Sequence, residues 1–254
     1  WRTVTELFAE NFSEQTGKWC EKHNIALTGH YLAEETLASQ VSAIGAAMPH
    51  YEFQQWPGID VLRDVFPEIA TAKQASSVAD QLGRERVLSE LYGCTGWDWP
   101  LEGHKYNGGW EFVLGVNFRC PHLSWYSMAG GAKRDYPASI FPHSPWWKYY
   151  RHVEDYFARL GLLLTSGKPV RDVLLIHPIE SAWGLAAGGP HFGHIHPIKR
   201  LDESFEALLV ALLEAHHDYD LGDETILSRH AKSAGGRLKV GRMEYRAVVV
   251  PPCL

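Results

Sequence analysis

What most constrains this chain is the order of its segments. Short apolar runs alternate with stretches of helical periodicity four times in succession, and after Gly167-Lys168-Pro169 the pattern restarts. Thr3–His23 places Val4, Leu7, Phe8, Phe12, Trp19 and Cys20 mostly three, four and seven residues apart, the stripe of an amphipathic helix. Ile25–Thr28 then reads as a short buried strand, residues 29–35 as a loop, and a helix starts near Thr36. The second unit has Tyr51–Gln54 as strand, Trp56–Asp60 as loop and Ile69–Leu82 as a helix rich in Ala, Ser and Gln. In the third, Arg86–Ser89 is a strand with Glu90 at its carboxyl end, followed by a long loop, Leu91–Asn107, and a helix around Gly109–Leu114. The fourth runs from a strand at Val116–Arg119 through a loop carrying Pro121, His122, Trp125 and Tyr126 to a helix over Trp146–Leu164. Such a series implies an α/β fold with a parallel sheet and helices outside it.

Beyond residue 167 the expected elements are a strand at Val170–Ile176, a Gly/Pro/His-rich loop to about Pro197, and a helix over Leu201–His216. Asp218-Tyr219-Asp220 reads as extended, Asp223–Ala231 as helix, Gly235-Gly236 as a turn, and Arg237–Val240 and Ala247–Val250 as a closing pair. This predicts two domains, 1–166 and 167–254, the second a small flavodoxin-like α/β layer. It lacks the Gly-rich phosphate fingerprint after its first strand, which speaks against a nucleotide.

Composition excludes several classes. A net charge of −6, with no run of Lys or Arg, gives no electrostatic footprint for nucleic acid or an anionic membrane. No apolar stretch approaches a spanning helix, so a soluble protein is expected. The four cysteines stand far apart without a CxxC pair, which suits neither a zinc site nor a disulfide framework and leans toward a reducing, cytoplasmic setting. The chain opens at Trp1 without Met and closes directly behind an expected buried strand, as an excerpt of a longer polypeptide would.

In a parallel βα barrel the chemistry stands at the carboxyl ends of the strands. That rule gathers His30, Glu34, Glu35, Asp60, Glu90, Trp97, His122 and Trp125 around one pocket. Carboxylates among aromatic faces suit glycoside cleavage, which needs one carboxyl to protonate the leaving oxygen and another to act as nucleophile or base. Glu90 is the leading carboxylate because it directly follows an apolar strand and precedes a loop with Tyr92, Trp97 and Trp99. Glu34 and Glu35 serve equally well as acidic residues at a helix start. His30 suits a sugar hydroxyl or a tight turn, and Asp60 could be a turn residue after Pro57-Gly58. His191, His194 and His196 could ligate zinc, yet they sit in a Gly-rich loop without an acidic partner, so no metal is assigned there.

The segments Trp19–His30, Pro57–Asp60, Val87–Gly93 and Leu114–Asn117 together resemble large bacterial glycoside hydrolases related to the family 106 α-L-rhamnosidases. The domain order is also similar to that of the family 42 β-galactosidases. The resemblance implies the C-terminal half of a (β/α)8 TIM barrel followed by the flavodoxin-like domain, with Glu90 ending strand seven in a nucleophile-like role. It places the second carboxylate before Trp1. Rhamnosidase-type relatives invert and are calcium-linked, which makes Glu90 a base or metal-associated residue instead; otherwise no cofactor is implied. The expected partner is a glycoside or oligosaccharide, and the accessory domain leaves a homo-oligomer open. A non-catalytic carbohydrate-binding or assembly module is the alternative.

Overall fold

The computed structural model describes residues 1–63, 68–134, 136–138, 140–186 and 196–253, without the side chains of 132, 133, 196 and 197. It is a mixed α/β structure, as the alternating segments predict. Strands β1 (Gly58–Val61), β2 (Leu88–Leu91) and β3 (Phe118–Pro121) form a parallel sheet in that order, with Asp60 opposite Glu90 and Glu90 opposite Cys120. A second parallel sheet places β4 (Val173–His177) between β5 (Tyr219–Asp223) and β9 (Ala247–Val249). An antiparallel sheet of β6 (Ala231–Ala234), β7 (Arg237–Val240) and β8 (Met243–Tyr245) completes it, turning at the expected Gly235-Gly236.

Helices α1 (Arg2–Phe8) and α2 (Gln15–Lys22) are joined through a π-helical segment, Ala9–Glu14. The apolar stripe of this region is not covered: Val4, Leu7, Phe12 and Trp19 are each more than half exposed. Helix α3 (Leu37–Ala43) opens with a capping box, Thr36 Oγ1 accepting from the Ser39 amide at 3.0 Å while the Ser39 hydroxyl accepts from the Thr36 amide. Helix α4 (Met48–Tyr51) follows, and α5 (Ala70–Leu82) ends at Gly83 in the left-handed conformation that glycine adopts without strain. Helices α6 (Leu101–Val113) and α7 (Arg151–Thr165) flank the first sheet; α8 (Ile179–Leu185), α9 (His196–Glu214) and α10 (Glu224–His230) belong to the later part of the chain.

Six expectations are corrected. The strand expected at Arg86–Ser89 is Leu88–Leu91, so Glu90 stands within it and not after it, and Arg237–Val240 does not pair with Ala247–Val250: β7 lies between β6 and β8, while β9 pairs with β4. Ile25–Thr28 is neither strand nor buried, although its chain runs beside β1, the Trp56 amide donating to Leu27 O at 3.1 Å. Ile25, Ala26 and Thr28 are exposed. Tyr51 ends a helix, and the strand of that unit is Gly58–Val61, overlapping the expected loop Trp56–Asp60; Ile59 and Val61 supply the β-branched side chains. Helix α6 begins at Leu101, within the long loop expected after Leu91, because Pro100 starts a helix there despite the glycines that follow. Helix α8 lies in what reads as a Gly/Pro/His-rich loop.

Helix α5 explains how the parts cohere. Its small residues leave it buried on almost every side, against β1 on one flank and β5 on the other. Ser77 Oγ accepts the Leu221 amide at 2.7 Å and Gln81 Nε2 donates to Leu221 O at 2.8 Å, so the helix substitutes for a neighbouring strand. Lys73, fully buried, pairs with Asp218 and donates to Tyr219 O at 2.9 Å. Arg171 bonds Asp80, Asp218 and Asp220, and Tyr245 donates to Asp220 at 2.7 Å. One apolar cluster runs from Ile44 through Leu91 and Leu174 to Tyr245, across position 167.

Candidate functional site

The two faces of the first sheet differ. Ile59, Ser89 and Leu91 point to the helices and are almost fully buried, whereas Glu90 is half-buried and Phe118 and Cys120 are exposed on the other face. Register and alternation put Asp60 and Glu90 side by side on that open face. His30, from the segment beside β1, reaches both: its Nε2 lies 3.6 Å from Asp60 Oδ2 and 4.0 Å from Glu90 Oε2. His122, just past β3, stands 3.9 Å from Glu90 Oε1. Burial, and then the charge of Glu90, push the Asp60 carboxyl up from its ordinary range.

Thr36 takes the capping role, which frees Glu34 and Glu35 from it. They diverge: Glu35 is exposed, while Glu34 is buried and turned toward Tyr31 and Tyr51. Its Oε1 accepts from the Tyr31 amide at 2.8 Å and from the Tyr51 hydroxyl. Burial raises its pKa to about 7 despite these bonds. A cavity of about 430 Å³ opens there, lined by His30, Tyr31, Glu34, Glu35, Asp60 and Arg63 among others. Glu90 and His122 adjoin it through the Asp60–His30 contact.

The loop after β2 carries Trp97. It is held by the segment at 137–138, the Gly96 amide donating to Pro137 O at 3.1 Å and the Ala138 amide to Tyr92 O at 3.1 Å. Trp97 packs on Trp125 with ring centroids 4.8 Å apart. Trp97 is half exposed and Trp125 is buried, so the open ring face belongs to Trp97. The Trp125 indole nitrogen, His122 Nδ1 and Asp60 Oδ1 find no hydrogen-bond partner among the described residues.

Sequence reasoning did not single out Tyr31, Tyr51 or Glu111. Glu111, on the inner side of α6, is buried behind the strands, with its carboxyl raised to about 8 by burial despite a hydrogen bond from Ser89. A glutamate between Trp110 and Phe112 was its only signal. Among the described residues, the ligand atoms of His30, Asp60 and Glu90 lie within 4.8 Å of one another and could hold a cation. The two carboxylates suit calcium, which takes oxygen ligands; the imidazole does not. His191 and His194 lie outside the described residues, as does the side chain of His196, which begins α9. Among those residues, no helix is long and apolar enough to cross a membrane.

Against this geometry the comparisons fall in one direction. A rhamnosidase from Novosphingobium sp. PP1Y superposes over 98% of the chain with a TM-score of 0.73 at 20% identity, the chain covering 23% of it. The chain resembles glycoside hydrolases. Gan42B, a GH42 β-galactosidase, superposes over 98% of the chain with a TM-score of 0.56 at 12% identity and is covered for 36% of its length. Among curated proteins, a "Putative beta-glucuronidase" of Formosa agariphila is 27% identical over 180 residues, which is 68% of this chain and 15% of that protein. The chain therefore spans well under half the length of each of these three proteins. No protein-family model matches it.

Proposed function

We propose that the chain is part of a glycoside hydrolase that cleaves O-glycosidic bonds of plant or microbial glycans, with Glu90 as its essential carboxylate. The observation that carries this reading is the convergence of His30, Asp60, Glu90 and His122 on the open face of a parallel sheet, beside a cavity and an exposed tryptophan. Likeness to a rhamnosidase and a β-galactosidase supports it. In this reading residues 1–166 form the C-terminal half of a (β/α)8 barrel, the open face of the sheet is the barrel lumen, and residues 167–254 are a flavodoxin-like accessory domain.

Hydrolysis requires two carboxyl groups across the scissile bond, about 5–5.5 Å apart for retention and about 6.5–9.5 Å for inversion. Asp60 and Glu90 are register partners on adjacent strands, with an oxygen of each within 4.8 Å of the other, so both leave the sheet on the same side and do not flank a scissile bond from opposite sides. The two form one charge cluster: Glu90 is the reacting carboxylate, and Asp60 and His30 orient it and bind sugar hydroxyls. The opposing carboxyl comes from outside this cluster. Trp97 offers a ring for stacking on the substrate. Calcium held by Asp60 and Glu90 would supply a positive charge for sugar hydroxyls to bind.

The test is hydrolysis of a panel of nitrophenyl glycosides, α-L-rhamnoside and β-D-galactoside included, by the full-length protein and its Glu90→Gln variant. Turnover by the parent that collapses in the folded variant supports the reading. Equal rates in both would remove Glu90 from the chemistry, and an inactive parent would favour a carbohydrate-binding module.

A further inference from the structure

A second cleft, of about 520 Å³, lies at the amino-terminal ends of β2 and β3, whereas Glu90 stands toward their carboxyl ends. Four segments distant in sequence supply its walls: the α5–β2 connection with Arg84 and Arg86, Asn117 before β3, the stretch after α7 with Gly167 and Lys168, and Arg242 from the β7–β8 turn. Arg86 begins two residues before β2 and four before Glu90, about 13 Å along an extended chain. The cleft is separate from the site already described.

Its cations hold unused donors. Among the described residues, Arg86, Lys168 and Arg242 make no hydrogen bond or ion pair through their charged groups; Arg86 only faces the Phe118 ring, 6.0 Å from its centroid. Arg84 donates from Nη2 to Glu52 O at 2.9 Å, while its buried Nε–H finds no acceptor. Of the two acids in the cleft, Asp80 is committed to Arg171, and only Glu85, exposed, remains. The Arg242 guanidinium lies over Gly83, where any Cβ would come within 2.2 Å of it. Space above Gly167 is open. Cations beside the carboxyl ends of α5 and α7 also offset the helix dipoles, but that role needs neither a cavity nor three separate unpaired groups.

We propose that this cleft binds an oxyanion, a sulfate, phosphate or carboxylate group, through Arg86, Lys168 and Arg242, with Arg84 as its rigid wall. Guanidinium forks match tetrahedral and planar oxyanions with paired hydrogen bonds, and the ammonium of Lys168 adds a point charge. This inference does not depend on the glycosidase reading.

Thermal melts and titration calorimetry of the full-length protein in sodium sulfate or phosphate, against sodium chloride at equal ionic strength, test it. Saturable binding with a rise in Tm of a few degrees is expected, because a ligand of the native state stabilises it by mass action. The Lys168→Glu, Arg242→Glu double variant should melt normally in chloride and lose the response; Lys168→Glu alone, at an exposed position, should weaken binding about tenfold. No saturable binding, or an equal response in the double variant, would overturn the proposal. Glucose 6-sulfate in place of inorganic sulfate separates the sources: tighter binding assigns the site to an anionic glycan, equal binding to the free ion.

Discussion

Asp60 and Glu90 are register partners on adjacent parallel strands, so their carboxylates leave the sheet side by side and share the imidazole of His30, 3.6 Å from one and 4.0 Å from the other. Two like charges in this position are tolerable because Glu90 stays partly open to water, two histidines face them, and burial favours the protonated form of Asp60.

The pair sets an order of effects on activity. Glu90→Gln should lower kcat by about a thousandfold or more, and Asp60→Asn by about a hundredfold, both with native circular dichroism. Steady-state kinetics on the best nitrophenyl glycoside measure both. A larger loss in the Asp60 variant would exchange their roles.

Glu34 should imprint a pH dependence on stability. Its carboxyl is raised to about 7 in the folded chain, against about 4.3 when unfolded, so the native state holds the proton more tightly. That contribution is complete below about pH 4.3 and is lost as pH rises through about 7. Glu34→Gln keeps an acceptor for the Tyr31 amide and Tyr51 hydroxyl without the ionisation. Melting curves from pH 4.5 to 8 should show the variant gaining on the parent as pH rises; parallel curves would mean that Glu34 ionises freely in the fold.

Trp97 and Trp125 should separate into binding and packing. Trp97→Ala, removing the exposed ring, should raise KM about tenfold, equivalent to about 1.4 kcal/mol, with little change in Tm. Trp125→Ala, beneath it, should cost about 3–5 kcal/mol of stability. Kinetics and urea melts on the two variants distinguish these outcomes.

Arg171 is nearly buried and compensates Asp80 and the fully buried Asp220, with Asp218 at the edge. Arg171→Met should destabilise by about 3–5 kcal/mol because Asp220 loses its counter-charge. Adding Asp220→Asn should recover part of that loss in denaturant melts. Additive losses would place the effect of Arg171 in packing.

Much of this was legible in sequence because local patterns carry it. Helical periodicity located α5, α7 and α9, apolar runs located β2 and β4, the Gly235-Gly236 turn located β7, and Glu90 was singled out beside an apolar run although it stands within β2. The resemblance to glycoside hydrolases rests on Trp19–His30, Pro57–Asp60, Val87–Gly93 and Leu114–Asn117. Other features depended on partners distant in the chain. The sequence could not say that Thr36 caps α3 and leaves Glu34 to turn inward, that Gly58–Val61 outcompetes Tyr51–Gln54 as the strand, or that Trp97 and not Trp125 presents its ring. Sequence by itself determined the α/β alternation and which residue types gather at strand ends, because periodicity and turn chemistry act within a few residues. Tertiary structure decided which carboxyl is buried, which is paired and which meets the cavity, because desolvation and charge proximity are set by neighbours that the fold, and not the chain order, brings together.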